Sequence, residues 1–140
     1  VTLKEQLEAL FANPPASRAA CAKAWADAMQ AYAAKIVPPS TTVPAAALVF
    51  ASALTAAFGK TNSVADIESA FTVFATSVGG GMIGYAPVPP VAPVGFAALF
   101  SSAPPTHALA AQQLADLIHA WLITGTSALI SPASPPAPWS

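Results

Sequence analysis

Five Pro-Pro pairs divide the chain, at positions 14–15, 38–39, 89–90, 104–105 and 135–136. A helix does not run through such a pair, because each ring removes an amide donor and forces the residue before it out of helical geometry. Helices must fit between these marks, so apolar periodicity is read interval by interval.

In the first interval Leu3, Leu7, Leu10 and Phe11 share one helical face, and Thr2 with Glu5 has capping-box spacing; a helix is predicted near 2–12. Ser17 then caps a second helix near 17–36, whose stripe Cys21, Trp25, Met29, Tyr32 and Ile36 opposes Arg18, Lys23, Asp27, Gln30 and Lys35. A third is predicted near 44–58, with Thr42 as its cap, Phe50, Leu54 and Phe58 in line and Gly59 as terminator. It carries no charge, which predicts burial on most sides. The fourth, near 63–78, aligns Val64, Ile67, Phe71, Phe74 and Val78, with Asp66 and Glu68 near the positive end of its dipole. The short "GKTNS" between them predicts an antiparallel hairpin. A fifth helix near 106–124 follows Thr106 and carries Leu114, Leu117, Ile118, Trp121 and Leu122.

The remainder reads as extended chain. Residues 79–105 form a Gly/Pro-rich loop, in which "VGFAALF" has room for one or two helical turns. "TSALIS" fits a short strand or an apolar tail, and residues 131–140, with four prolines and Trp139, predict an arm of polyproline character. The expected fold class is all-α: a compact bundle of about five helices forming one domain over 1–130, with an extended C-terminal arm.

Composition bears on partners. Only 8% of the 140 residues are charged, against roughly 25% in ordinary soluble domains, and the net charge is −1. Lys4, Glu5, Glu8, Arg18, Lys23, Asp27 and Lys35 crowd the first 35 residues, whereas Asp116 is the one charge from Ser69 onward. So bare a half is expected to pack against the core or against neighbouring chains. Five dispersed basic residues give no stripe for phosphates, so direct nucleic-acid binding is not expected. The apolar runs 44–58 and 117–130 fall short of the ~20 residues of a membrane span, and "VTLKEQLEAL" has no signal-peptide pattern. With one cysteine, Cys21, no intrachain disulfide forms, and its place on the apolar stripe predicts a small buried side chain.

The motifs that resemble chemical sites fail on context. Gly79, Gly81 and Gly84 have the spacing G-x-G-x-x-G. A dinucleotide loop needs a strand before these glycines, a helix after them and an acid about 20 residues on. Here a helix precedes and "YAPVPPVAP" follows, so a chain turn is expected instead. "GKT" at 59–61 lacks the upstream glycine of a phosphate loop, because Leu54 stands there. His107 and His119 are 12 residues apart on one helix, about 18 Å along its axis, too far to share a metal. An enzyme would need a pocket around Asp116 and His119, and no catalytic residue, cofactor, metal or small-molecule substrate is expected. Protein–protein contact remains, with Tyr85, Phe96, Phe100 and Trp139 as candidate anchors; the alternative is that these aromatics fold back over the chain's own helices.

The segments "CAKAWADAMQAYAAKIVPPS", "GGGMIGYAPVPPVAPVGFAALF" and "HAWLITGTSALISP" in this order resemble small alanine-rich structural proteins of tailed-bacteriophage particles. The resemblance implies a virion component of the head, neck, tail or baseplate, assembled in the host bacterial cytoplasm and bound to other virion proteins or to copies of itself. It carries over no functional residue. A small helical module that binds another protein outside a virion, or an apolar ligand between the third, fourth and fifth helices, is the alternative.

Overall fold

The computed structural model describes residues 2–13, 15–60, 64–90, 95–96 and 106–140. The chain is mostly helical, with α1 (Leu3–Ala12), α2 (Arg18–Ala33), α3 (Val43–Phe58), α4 (Val64–Gly80) and α5 (His107–Leu122) in the predicted intervals. Three caps act as expected: the reciprocal Thr2–Glu5 box opens α1, Ser17 accepts from the Ala20 amide, and Thr106 from the Leu109 amide. Among the described residues, no helix is long and apolar enough to cross a membrane.

Packing order differs from chain order. The last helix, α5, lies against the first; α1 also touches α2, which packs on α3, and α3 packs on α4. Alanines let α2 and α3 approach closely, with Ala22, Ala26 and Ala33 buried on one and Ala46, Ala47 and Ala57 on the other. Phe71 of α4 occupies the centre, meeting the rings of Trp25, Phe50, Phe96 and Trp121 edge-on.

Two helix ends depart from expectation. The second helix stops at Ala33, and tighter turns carry the chain to Ile36, whose amide donates to the Ala33 carbonyl. The approach of Pro38-Pro39 explains this, since the residue before a proline leaves the helical region. The fourth continues to Gly80, because three hydroxyls from the segment before α3 take over its orphan carbonyls. Ser40 donates to Val78 O (2.6 Å), Thr41 to Gly81 O (3.2 Å) and Thr42 to Ser77 O (2.6 Å). Thr42 thus stands at the N-cap position of α3 without a side-chain cap bond to it, while Pro44 in the first turn has no amide to satisfy. The start of α3 beside the end of α4 makes the pair antiparallel.

The proline-rich segments form a small sheet that the all-α expectation did not include. Strands β1 (Tyr85–Val88), β2 (Thr126–Leu129) and β3 (Ala137–Pro138) pair antiparallel in that order, with Tyr85 opposite Leu129 and Thr126 opposite Pro138. Prolines cannot complete a central ladder, and here Pro87 and Pro138 lie in the two edge strands while β2 has none. The C-terminal arm folds back onto the chain, the alternative left open above for Trp139. Residues 131–138 are exposed, but Trp139 is 1% exposed, and its amide donates to Gly125 O at 2.8 Å. Ser140 exchanges backbone hydrogen bonds with Val37 (2.8 and 3.1 Å), which ties the tail to the turn after α2.

The glycine spacing has a packing explanation. Gly79 leaves room for the Trp139 ring and for Pro87 and Pro89, Gly81 is pressed against Ser40 and Thr42, and Gly84 turns the chain into β1 with φ +84°. A Cβ at Gly81 would fall 2.6 Å from Ser40 Oγ, whereas one at Gly80 meets nothing within 4 Å. Gly81→Ala is therefore expected to destabilise the fold by about 1–3 kcal/mol. Gly80→Ala should instead stabilise it by roughly 0.5–1 kcal/mol, since alanine has the higher helix propensity. Urea unfolding of both variants checks the opposite signs.

Candidate functional site

Two surfaces stand out. The first is the outer side of the α3–α4 hairpin. Helix α3 buries Val43, Ala46, Ala47, Phe50, Leu54 and Ala57, yet its opposite stripe of Ala45, Leu48, Val49, Ser52 and Ala56 is exposed. Leu48 is 73% exposed and Val49 48%, with Val73 of α4 at 43%. The expectation that α3 is buried on most sides is thus corrected: in this chain one face is covered, and the other, uncharged and apolar but for the Ser52 hydroxyl, is bare. Just beyond α4, Ile83 is 74% exposed and Ile130 60%, held near each other by the bond from the Ile130 amide to Gly84 O.

The second is a half-open cleft of about 530 Å³ between the first turn of α1, the last turns of α2 and the outer side of α5. Its walls are mainly apolar, with Leu3, Ile36, Leu122 and Trp139 among the lining residues. Lys4, Lys35, Gln112, Asp116, Tyr32 and His119 supply polar groups. Tyr32 and His119, 87 residues apart, are joined by a hydrogen bond of 2.6 Å between the phenol oxygen and Nδ1. Burial pushes the Tyr32 phenol up to about 12, so it stays protonated at neutral pH. Asp116, three residues before His119, instead accepts from Gln112 Nε2 at 2.7 Å. The two residues an enzymatic reading requires thus share a cleft but are engaged by different partners.

The structure places the candidate contact residues unevenly. Tyr85 is half-buried in β1, and Phe96 is 1% exposed, edge-on to Phe71 at 5.0 Å. Trp139 lies against Gly79 and Gly125, with its Nε1 donating to Ser127 Oγ at 2.8 Å. Phe96 and Trp139 are therefore interior residues of this chain and not outward anchors. Phe100 lies outside the described residues, as does most of the predicted loop over 91–105, including all of "VGFAALF" except Gly95 and Phe96. Aromatic size drew attention to these positions, whereas the exposed apolar surface is aliphatic. The sequence signal for it was a helix without charge on either face.

Other expectations find their places. Cys21 is half-buried rather than fully buried, and burial pushes its thiol up. The space between α3, α4 and α5, where an apolar ligand was the alternative, is filled by aromatic rings and retains a void of about 50 Å³. Among the described residues, no three His, Cys, Asp or Glu side chains gather as a metal site requires. Comparison with protein-family models, with curated proteins and with solved structures finds no match to this chain.

Proposed function

We propose that this chain is an assembly subunit, a structural component of a tailed-bacteriophage particle that acts through protein–protein contacts and not through catalysis. The observation that carries the proposal is the bare outer stripe of α3, where Leu48 and Val49 stand on a helix with no charged residue. Monomeric soluble proteins rarely expose contiguous apolar patches larger than roughly a few hundred Å², and such patches mark interaction sites. Val73 on the adjoining helix and the pair Ile83 and Ile130 add to the uncharged surface.

The distribution of charge supports the same reading. Its charged residues lie mostly in the first 35 positions, and those of the hairpin, Lys60, Asp66 and Glu68, stand where α3 ends and α4 begins, so the outer stripe of α3 has no charge of its own to keep it apart from a neighbour. A subunit surrounded by copies of itself, or by other virion proteins, needs no such protection on the covered side. The sheet contributes a further exposed apolar side chain, Val88, 56% exposed.

The test is the particle itself. Mass spectrometry of purified particles should detect the chain at fixed stoichiometry, and its gene should stand among capsid, sheath or tail-tube genes. A gene set among metabolic enzymes, with no chain in any particle, would contradict the proposal.

A further inference from the structure

The last ten residues join a buried plug to an exposed leash. Residues 131–138 are exposed, whereas the Trp139 indole is buried in a slot built by segments far from it in sequence. The ring lies between two positions that lack a Cβ: one added at Gly79 would stand 3.4 Å from Trp139 Cη2, and one at Gly125 2.7 Å from Cδ2. Pro87 and Pro89 flank the Gly79 side, and Pro90 flanks the Gly125 side. The indole Nε1 donates to Ser127 Oγ (2.8 Å), the Trp139 amide donates to Gly125 O (2.8 Å), and Ser140 exchanges two backbone bonds with Val37. The leash is held by Ser134, which is bonded to Leu129, and by the two residues of β3. The slot therefore recognises a short extended peptide ending in Pro-Trp-Ser, and it already holds one in cis.

We propose that this slot is also the docking site for the same segment of a second copy, so that neighbouring subunits are linked by exchanging tails. Exchange needs no new surface, because every contact made in cis is remade between chains. Its entropic cost is small: prolines at 135, 136 and 138 fix their own backbone angles and keep the residues before them extended, so the segment is largely ordered before it binds. Extended, residues 131–138 reach roughly 26 Å, enough to span to a subunit packed alongside. In the free chain its own tail wins, because a short tether holds the plug at an effective concentration of about millimolar. A neighbour held beside it presents a second tail at a similar concentration, and that advantage disappears. Exchange within a particle rests on the assembly reading above; the affinity of the slot for the segment does not.

Fluorescence anisotropy with a labelled peptide of residues 134–140, SPPAPWS, tests the proposal on full chains that carry Leu48→Lys and Val49→Lys to remove hairpin contacts. With Trp139→Ala added, the vacated slot should bind the peptide saturably at one site, and the peptide should raise the unfolding temperature of that chain. The chain that keeps Trp139 should bind it roughly a hundredfold more weakly, because its own tail competes. A peptide carrying Trp139→Ala should bind neither chain. Gly125→Val fills the slot where the indole stands and leaves that chain's Trp139 outside. Mixed with the Trp139→Ala chain, it should form a heterodimer in sedimentation velocity, while each chain alone stays monomeric and circular dichroism shows the helical signal in both. No saturable peptide binding to the Trp139→Ala chain, equal binding to the chains with and without Trp139, or a mixture of folded chains that stays monomeric would overturn the proposal. Because every chain used lacks the hairpin contact, these outcomes are independent of whether the parent assembles through α3.

Discussion

Phe71→Ala is expected to lower the unfolding free energy by about 3–5 kcal/mol, the range for truncating a buried aromatic. Phe71 is 1% exposed and is ringed by aromatic side chains from every side of the bundle. Phe50 of α3 lies at 4.8 Å, Phe96 at 5.0 Å, and Trp25 of α2 and Trp121 of α5 at 6.2 Å, all edge-on at 76–84°. Edge-to-face pairs of this kind add roughly 0.5–1.5 kcal/mol each beyond their buried area. The methyl group left behind cannot touch four rings at once, and helices held at these separations relax only partly into the cavity. Against a total stability of about 5–15 kcal/mol, the loss is a large fraction. Chemical denaturation measures it directly. Val73→Ala, two residues along the same helix but 43% exposed, should change stability by no more than about 0.5 kcal/mol. A Phe71→Ala cost below about 1 kcal/mol would mean that the rings do not meet around this residue.

Trp139→Ala is expected to cost a similar amount, about 3–5 kcal/mol, although it lies one residue from the end of the sequence given. Removing the indole empties a slot whose walls were fitted to it. A Cβ at Gly125 would stand 2.7 Å from the Trp139 ring, and one at Gly79 would stand 3.4 Å from it. The polar side of the same contact is lost as well. Ser127, 4% exposed, accepts from Trp139 Nε1 and donates to Met82 Sδ at 3.2 Å, so the variant leaves the hydroxyl oxygen without its donor inside the protein. An unsatisfied buried group of this kind costs roughly 1–3 kcal/mol. Strand β3 spans two residues and pairs only with β2, so the tail should become protease-sensitive when the plug is gone. Limited proteolysis and thermal unfolding of Trp139→Ala and Trp139→Phe separate the parts. The Phe variant keeps most of the apolar filling and should recover about half of the loss. A Trp139→Ala chain as stable and as protease-resistant as the parent would contradict this seating of the tail.

The helices were legible because their signals are local. Proline pairs, the Thr2, Ser17 and Thr106 caps and three-to-four spacing all act within a turn or two, and the five intervals follow from them. The sheet was not legible for the opposite reason. Its strands are four, four and two residues long, two of them carry proline, and none has the apolar–polar alternation in its sequence that marks a longer half-buried strand. Their pairing is set by side chains far apart in sequence: Trp139 is seated by Gly79, Gly125 and Ser127. The glycine spacing first tested as a phosphate loop was informative in another way, because it records where other parts of the chain press closely. Of the cleft lining, Asp116, His119 and Trp139 drew attention in sequence, though not as one site, since no local pattern brings Lys4, Lys35 and Tyr32 to α5. The hairpin face was half legible. Its lack of charge was plain, but which side of α3 the core covers depends on how α2 and α4 pack.

The central proposal is that the bare face of α3 binds neighbouring subunits, and its energetic demand is modest. Covering Leu48, Val49 and Val73 removes apolar surface from water at about 25 cal/mol per Å², offset by the freedom lost on association. Association should therefore be reversible and dependent on concentration. Sedimentation velocity of the full chain across a wide concentration range, beside a Leu48→Lys, Val49→Lys variant, measures this most directly. The parent should sediment as a growing species above its monomer mass of 14.0 kDa as concentration rises, and the variant should remain monomeric with an unchanged helical spectrum. A parent chain that is strictly monomeric and freely soluble at the highest concentrations, indistinguishable from the variant, would contradict it.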